Sequence, residues 1–517
     1  MPKRSFVFGA AILLGANLFN RILGFLYQYL IMKHIGGEAY GLFNMVFPVY
    51  MMALVVTTAG IPLAVAKLVA EETSLGRPEQ AAAVFHLAMG LLTVSGAVVA
   101  VLLYLWAPYL AKQLFPDPRV LRVFLICTPA IFVVSVASAF RGYFQGLQNM
   151  VPTALSQICE QITRISLGFA LAVTFLPRGV EWAASALAIG MLAGETVGLI
   201  VIILQFKLRQ HKIPRSSSAR EAGPPALHIL NKLWRLASPV TAGRFLSTGL
   251  SALDAVLIPL RLQAAGYTAR EATTLFGQLG GTAFTLLTFP SVFTFALSTS
   301  LVPAIAEAAV QKRLQVVRSR SAEAIRLTIL LGVPFLIVLF YFARPLTSLF
   351  RSANIAPILR ILSLGGIFAY IQQTTTGILQ GLGKVHIPVI NSVIAALVRI
   401  PLLYVLTGLP QYGLTGSALG YVAGFMIMAS LNMWSISRLS GLPFDLQHLL
   451  LQPLTAGLGM LLTLRLLSHF SAAYPILYPA AIAIGIIVYS LILMINGALT
   501  NDDLRRLPWL GKYIPRI

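Results

Sequence analysis

Apolar positions along this chain fall into long runs separated by short polar stretches, and a bilayer-spanning helix needs about 20 such residues. Sliding that length along the sequence predicts fourteen spans: 5–32, 40–66, 82–106, 121–146, 152–176, 182–206, 234–259, 274–305, 324–343, 355–381, 387–407, 414–437, 450–470 and 474–497. The expected fold class is therefore all-α integral membrane. An even number of spans puts both termini on one side. The apolar run after Lys3 and Arg4 imitates a signal peptide, but it continues to Met32, too far for a signal core, and reads as the first span.

Composition sharpens this picture. The 517 residues are 57% hydrophobic and only 10% charged, well below the quarter usual for soluble domains, which excludes an ordinary soluble enzyme. A formal charge of +22 invites a nucleic-acid reading, yet the cations lie between apolar runs rather than in one basic domain. No nucleic-acid partner is expected. With the N-terminus inside, inner loops and tails hold 23 Lys and Arg against 11 outside, so the positive-inside rule makes both termini cytoplasmic. The five tryptophans (Trp106, Trp182, Trp234, Trp434, Trp509) stand near predicted helix ends, as interfacial anchors do. Cys127 and Cys159 lie in apolar stretches and read as packing residues, not a disulfide framework.

A basic, then Ser-rich, then Gly-Pro-Pro stretch at 207–228 separates the first six spans from the rest. Across it the chain repeats itself. Gly142-Tyr143-Phe144-Gln145-Gly146-Leu147 matches Gly377-Ile378-Leu379-Gln380-Gly381-Leu382, and the same offset of 235 carries Arg164-Ile165 onto Arg399-Ile400. At shifted offsets Arg21 pairs with Arg244, and Ile61-Pro62 with Val302-Pro303. The order of these matches predicts two repeat-related six-helix lobes, residues 1–206 and 234–438, joined by a linker at 207–233. Two additional helices at 439–497 and a tail at 498–517 follow. Lobes of six spans share one orientation, related by an axis along the membrane normal.

Charge inside hydrocarbon costs about 2.5–3.5 kcal/mol per residue on insertion scales and calls for a reason. Four arginines stand well inside predicted spans, away from their ends, as two repeat-related pairs, Arg21/Arg244 and Arg164/Arg399. They imply a cationic cleft for an anionic substrate, since a guanidinium is a planar fork of donors suited to phosphate or carboxylate. Snorkelling to an interface is the rival reading, more serious for Arg21 and Arg244 than for the deeper pair. Glu160, Glu195 and Asp254 are acids within apolar stretches. Glu160 precedes Arg164 by four residues. Either it is an ion pair easing insertion, or a gate whose arginine exchanges Glu160 for substrate phosphate. Asp254 needs a proton, an ion or a distant cation, and Asn391 is a candidate partner for ion coupling. Asn17 and Asn20 read as interhelix hydrogen-bonding residues.

No G-x-x-x-x-G-K-[ST], H-E-x-x-H or G-x-S-x-G motif occurs, and the seven histidines have no ligand spacing. The chain is expected to be a secondary transporter rather than an enzyme. It needs no cofactor and no bound metal, and is driven by a coupling ion (Na+ or H+) or the membrane potential.

Several motifs resemble the oligosaccharidyl-lipid/polysaccharide branch of the multidrug/oligosaccharidyl-lipid/polysaccharide exporter superfamily, and within it the MurJ-like lipid II flippases. They are Arg21-Ile22-Leu23-Gly24-Phe25, Gly60-Ile61-Pro62 through Glu71, and Arg141-Gly142-Tyr143-Phe144-Gln145-Gly146-Leu147-Gln148-Asn149-Met150. Glu160-Gln161, Arg164-Ile165-Ser166, Leu301-Val302-Pro303-Ala304-Ile305 and Asp503-Leu504-Arg505-Arg506-Leu507-Pro508 complete the set. The resemblance implies a plasma-membrane flippase with lobes around a central cavity and a lipid-tail groove on the two extra helices. Its implied substrate is a polyprenyl-pyrophosphate-linked peptidoglycan precursor, here for spore cortex. It implies pyrophosphate-holding roles for cavity arginines such as Arg21 and Arg244. It also implies a sodium site that would take Asp254 and Asn391, although Ala395 stands where a second acid would help. Bilayer lipids and cell-wall synthases are the expected partners. A flippase for another lipid-linked polysaccharide, a multidrug/cation antiporter and a non-transporting scaffold for synthases remain the alternatives at this point.

Overall fold

The computed structural model describes residues 4–58, 60–210, 226–441, 451–473 and 477–498. The central part of the basic linker and the C-terminal tail lie outside the described residues. Among the described residues there is no strand, and eleven helical segments are long and apolar enough to cross a membrane.

The helices, in chain order, are α1 (Arg4–His34), α2 (Gly37–Thr58), α3 (Ile61–Ser74), α4 (Pro78–Gln113), α5 (Val120–Gly146), α6 (Val151–Phe175), α7 (Val180–Gln210), α8 (Ala226–Ala264) and α9 (Ala269–Gln278). There follow α10 (Thr285–Thr288), α11 (Ser291–Val310), α12 (Leu314–Tyr341), α13 (Ala343–Leu349), α14 (Ala356–Gly381), α15 (His386–Thr407), α16 (Leu414–Ser440), α17 (Gln452–Ala473) and α18 (Tyr478–Ile495). They form two compact units, Met1–Thr282 and Ala283–Ile517.

Two of the expected spans are interrupted. The span at 40–66 is two helices, α2 and α3, with Gly60 at φ 67 between them and Pro62 in the first turn of α3. A left-handed glycine followed by a proline with no N–H to donate ends one helix and starts the next. Ser135 donates to the Thr57 hydroxyl, and Ser95 donates to the Thr57 carbonyl at 3.2 Å, one of those that a helix end leaves without an internal partner. The span at 274–305 comprises α9, a π-helical turn at Leu279–Phe284, α10 and α11. Such turns free backbone carbonyls and concentrate at functional positions.

In the first unit, α3, the start of α4, the end of α5, the end of α7 and the start of α8 share one core that includes Val65, Leu68, Phe85, Phe140, Phe144, Ile202 and Leu233. The end of α7 and the beginning of α8 thus lie at one end of the bundle. The outward face of α4 carries Val94, Val98, Val101, Leu105, Trp106 and Tyr109, all exposed, as a lipid-facing surface should be. In the second unit α11, α12, α14 and α16 share a core around Ile329, Ile371, Ile378 and Ile436. The added pair α17–α18 packs on α12 through Leu330, Met460, Leu464 and Tyr489, whose hydroxyl donates to the Leu330 carbonyl at 3.0 Å.

Candidate functional site: a buried arginine–glutamate quartet

Helices α6 and α7 approach closely because small residues on α7 face one row of α6. Gly190 lies against Gly168, Gly194 against Arg164 and Gly198 against Glu160 and Ser156. A Cβ on Gly194 would stand 2.7 Å from the Glu160 carbonyl oxygen, so only glycine permits this spacing. Both rows follow the i, i+4 ridge, the commonest way for two helices to interlock. Ser156 fastens the end of the seam by donating to the Gly198 carbonyl at 2.9 Å.

That seam positions the charges. Arg164 Nη2 donates to Glu160 Oε1 and to Glu195 Oε1, both at 2.7 Å. Arg141, at the end of α5, donates from Nη2 to Glu160 Oε2 at 2.8 Å and stands 4.0 Å from Glu195 Oε2. Two cations and two anions thus alternate, with side chains only 10–22% exposed. Burying either sign without the other would be prohibitive. The quartet is nevertheless incompletely satisfied. Nε of Arg141, Nε of Arg164, Oε2 of Glu195 and Oε1 of nearby Gln157 are buried without a hydrogen-bond partner. Native interiors leave few such atoms, and each asks for an explanation. Here the spare donors are the inner members of two guanidinium forks, the geometry that grips an anion with two oxygens.

The structure therefore brings together Glu160, Arg164 and Glu195 of the expected residues, and adds Arg141. In the sequence Arg141 stands out only as the opening of the motif Arg141-Gly142-Tyr143-Phe144-Gln145-Gly146, near the end of the expected span 121–146, and not as a site residue. Arg399, in the second unit, repeats the seating of Arg164. Gly424 of α16 lies against its side chain, 2.7 Å from Cδ for an added Cβ, and Gly420 lies against Leu403 one turn on. Arg399 also stands over the Tyr421 ring at 5.1 Å, a cation–π arrangement. Each unit thus carries an arginine pressed by a glycine of the following helix.

The other expected residues are placed as follows. Arg21 and Arg244 are exposed positions of α1 and α8. Asp254 is buried on α8. Asn391 is buried on α15 and donates to Asn432 Oδ1 at 2.9 Å; Asn432 in turn donates to Thr375 and Thr376, each at 3.2 Å. Among the described residues no group of three His, Cys, Asp or Glu could hold a metal ion.

A second charged cluster closes the opposite end of the first unit from the α7–α8 junction. Arg119 bridges Glu38 at 2.6 Å and Asp117 at 2.7 Å; Arg270 reaches Glu38 at 2.9 Å and Thr273 donates to Asp117 at 2.8 Å. Below it Gly37 and Gly41 of α2 interlock with Thr273 and Gly277 of α9. Burial alone would raise the Asp117 carboxyl, but hydrogen bonds from Arg119 and Thr273 hold it below its ordinary value of 3.8. A carboxyl lowered by folding stabilises the fold fully above its ordinary value and loses that contribution as pH falls through the folded one. The melting temperature of wild type should therefore exceed that of Asp117→Asn by a constant margin near neutrality, and the margin should shrink as pH falls below 3.8. A margin unchanged in acid would dissociate Asp117 from this cluster.

Comparison with known proteins agrees with this architecture. The family described as "Polysaccharide biosynthesis protein" matches residues 6–309, more than half of the chain. The chain belongs to that family. A second family, MatE, matches residues 279–405. Among the family's relatives, "Stage V sporulation protein B" of Bacillus subtilis (strain 168) is 31% identical, with 100% of each chain covered. "Lipid II flippase MurJ" of the same organism is 26% identical, covering 81% of this chain and 80% of the other. The solved structure "Lipid II flippase MurJ, inward closed conformation" superposes with a TM-score of 0.69 at 17% identity, covering 95% of this chain and 99% of that one. This family member is a multi-pass membrane transporter, not an enzyme.

Proposed function

We propose that the protein is a flippase moving a polyprenyl-pyrophosphate-linked peptidoglycan precursor of the lipid II type, serving spore cortex, across the plasma membrane by alternating access. In this reading both termini are cytoplasmic, and the fourteen spans form two repeat-related lobes plus α17–α18. The observation that carries it is the quartet's unspent capacity: two buried guanidinium groups whose Nε donors have no partner, held ready by carboxylates. The relatives supply the substrate class. A diphosphate entering the site displaces carboxylate oxygens from the guanidinium forks, exchanging one set of charge-assisted hydrogen bonds for another. The matching seats of Arg164 and Arg399 support an arginine role within each lobe of an alternating-access carrier.

The test is reconstitution of purified protein in liposomes with fluorescent lipid II, with and without an imposed potential. Wild type should expose lipid to the opposite leaflet. Arg399→Ala, whose removal leaves no buried carboxylate of the quartet unpaired, should slow this by at least about tenfold, the equivalent of about 1.4 kcal/mol. Full transport by Arg399→Ala would remove the second unit's arginine from the mechanism. No transport by stable wild type would reject the substrate assignment.

A further inference from the structure

The helix break at Gly60 leaves a cavity of about 540 Å³ in the first unit. Its walls are mostly apolar, from Val56, Ile61, Leu91, Leu230, Leu233 and Trp234. The volume is in the range of pockets that enclose a small ligand, and the lining suits hydrocarbon. Leu91 and Trp234 are exposed, so the cavity opens on the lipid-facing side of α4 and α8. Nothing in the quartet's chemistry uses it.

The first turns of α8 divide into three faces. Ile229, Leu233 and Ala237 point into the core. Leu227, Leu230 and Trp234, at i, i+3 and i+7, line the cavity. Lys232 and Arg235, together with His228, form the third face, exposed and joined to the cavity by Asn231. Among the described residues neither Lys232 nor Arg235 makes an ion pair. This segment precedes the apolar span at Val240–Ala264, the depth at which lipid headgroups meet water. An apolar slot ending in a tryptophan, with two cations beside it, is complementary to an amphiphile with a negative head. An apolar chain alone would leave the cations unused.

We propose that this cavity binds an acyl chain of an anionic phospholipid of the surrounding leaflet, with its phosphate on Lys232 and Arg235. The occupant bridges α4, α8 and the α2–α3 break, and so ties the start of α8 to the helix break.

The test places full-length protein in phosphatidylcholine nanodiscs containing a minority of lipid brominated on its acyl chains. That lipid is phosphatidylglycerol in one series and phosphatidylcholine in the other. Bromine quenches indole fluorescence at short range, and subtracting Trp234→Phe isolates Trp234 from the other four tryptophans of the five. Brominated phosphatidylglycerol should quench Trp234 at a lower mole fraction than brominated phosphatidylcholine, by about fivefold for each cation engaged. The double variant Lys232→Gln/Arg235→Gln, altered only at exposed positions, should abolish the difference. Equal quenching by the two lipids, or a preference that survives the double variant, would overturn the proposal. Relief of quenching by equimolar unbrominated polyprenyl diphosphate would overturn it too, assigning the cavity to the transported lipid.

Discussion

Arg164→Ala should abolish transport and lower thermal stability at once. The substitution leaves Glu160 and Glu195 facing each other with Arg141 as the one cation of the cluster, and removing one partner of a buried ion pair costs about 3–5 kcal/mol. Loss of fold and loss of function would then be confounded. The double variant Arg164→Ala/Glu195→Gln separates them. It restores the charge balance, with Arg141 still paired to Glu160 at 2.8 Å, and should recover most of the melting temperature. Transport should not return, because one fork is gone. If the double variant regained transport, the quartet would be a structural device and the substrate would be held elsewhere. Arg164→Lys is a milder version of the same experiment. It keeps the charge, but a point-like ammonium lacks the planar fork, so stability should survive better than lipid movement.

Gly277→Ala should prevent α9 from seating on α2. The new methyl group would fall on the carbonyl oxygen of Gly37 and the backbone of Gly41, and backbone has no rotamer with which to step aside. Overpacking of this kind typically costs 1–3 kcal/mol, roughly, and more where neighbours cannot yield. The Glu38–Arg119–Asp117–Thr273 cluster sits at the same contact, so its bonds should stretch together with the seam. The readout is a membrane-impermeant thiol reagent acting on Gln278→Cys, a buried position of this helix end. Labelling should be slow in the otherwise wild-type background and at least about tenfold faster with Gly277→Ala, equivalent to about 1.4 kcal/mol of opening. Equal labelling rates would mean that the close approach is dispensable. Gly41→Ala, whose methyl group would meet the Thr273 carbonyl from the other side, should behave alike.

Much of the helical framework was legible because hydropathy over about 20 residues reports directly on span length. The interruptions were not. The break at Gly60 and the turn Leu279–Phe284 lie in largely apolar segments, and hydropathy does not register which way a carbonyl points. Gly60-Ile61-Pro62 did carry a local signal, a permissive residue followed by one that can only begin a helix. The pair Glu160–Arg164 was readable from its spacing of four. Its completion by Arg141 and Glu195 was not, because those side chains arrive from α5 and α7 through packing. The glycines that set this packing form a row of spacing four, Gly190-Gly194-Gly198, which means little until the facing helix is known. The correspondence of Gly190/Gly194 with Gly420/Gly424 runs at an offset of 230, out of step with the 235 that relates Arg164 to Arg399.

The quartet also bears on how voltage could act. A charge crossing the membrane field exchanges about 2.3 kcal/mol per 100 mV, and this couples only to net charge. Arg141 and Arg164 are cancelled by Glu160 and Glu195 within a few ångströms. An empty carrier with this cluster ionised therefore feels almost no electrical force there, whatever the potential. An anionic headgroup taken up among the four would make the loaded cluster negative, and an inside-negative membrane would push it outward. For the proposed flippase, the quartet thus assigns voltage dependence to the loaded stroke and leaves the empty return electrically silent.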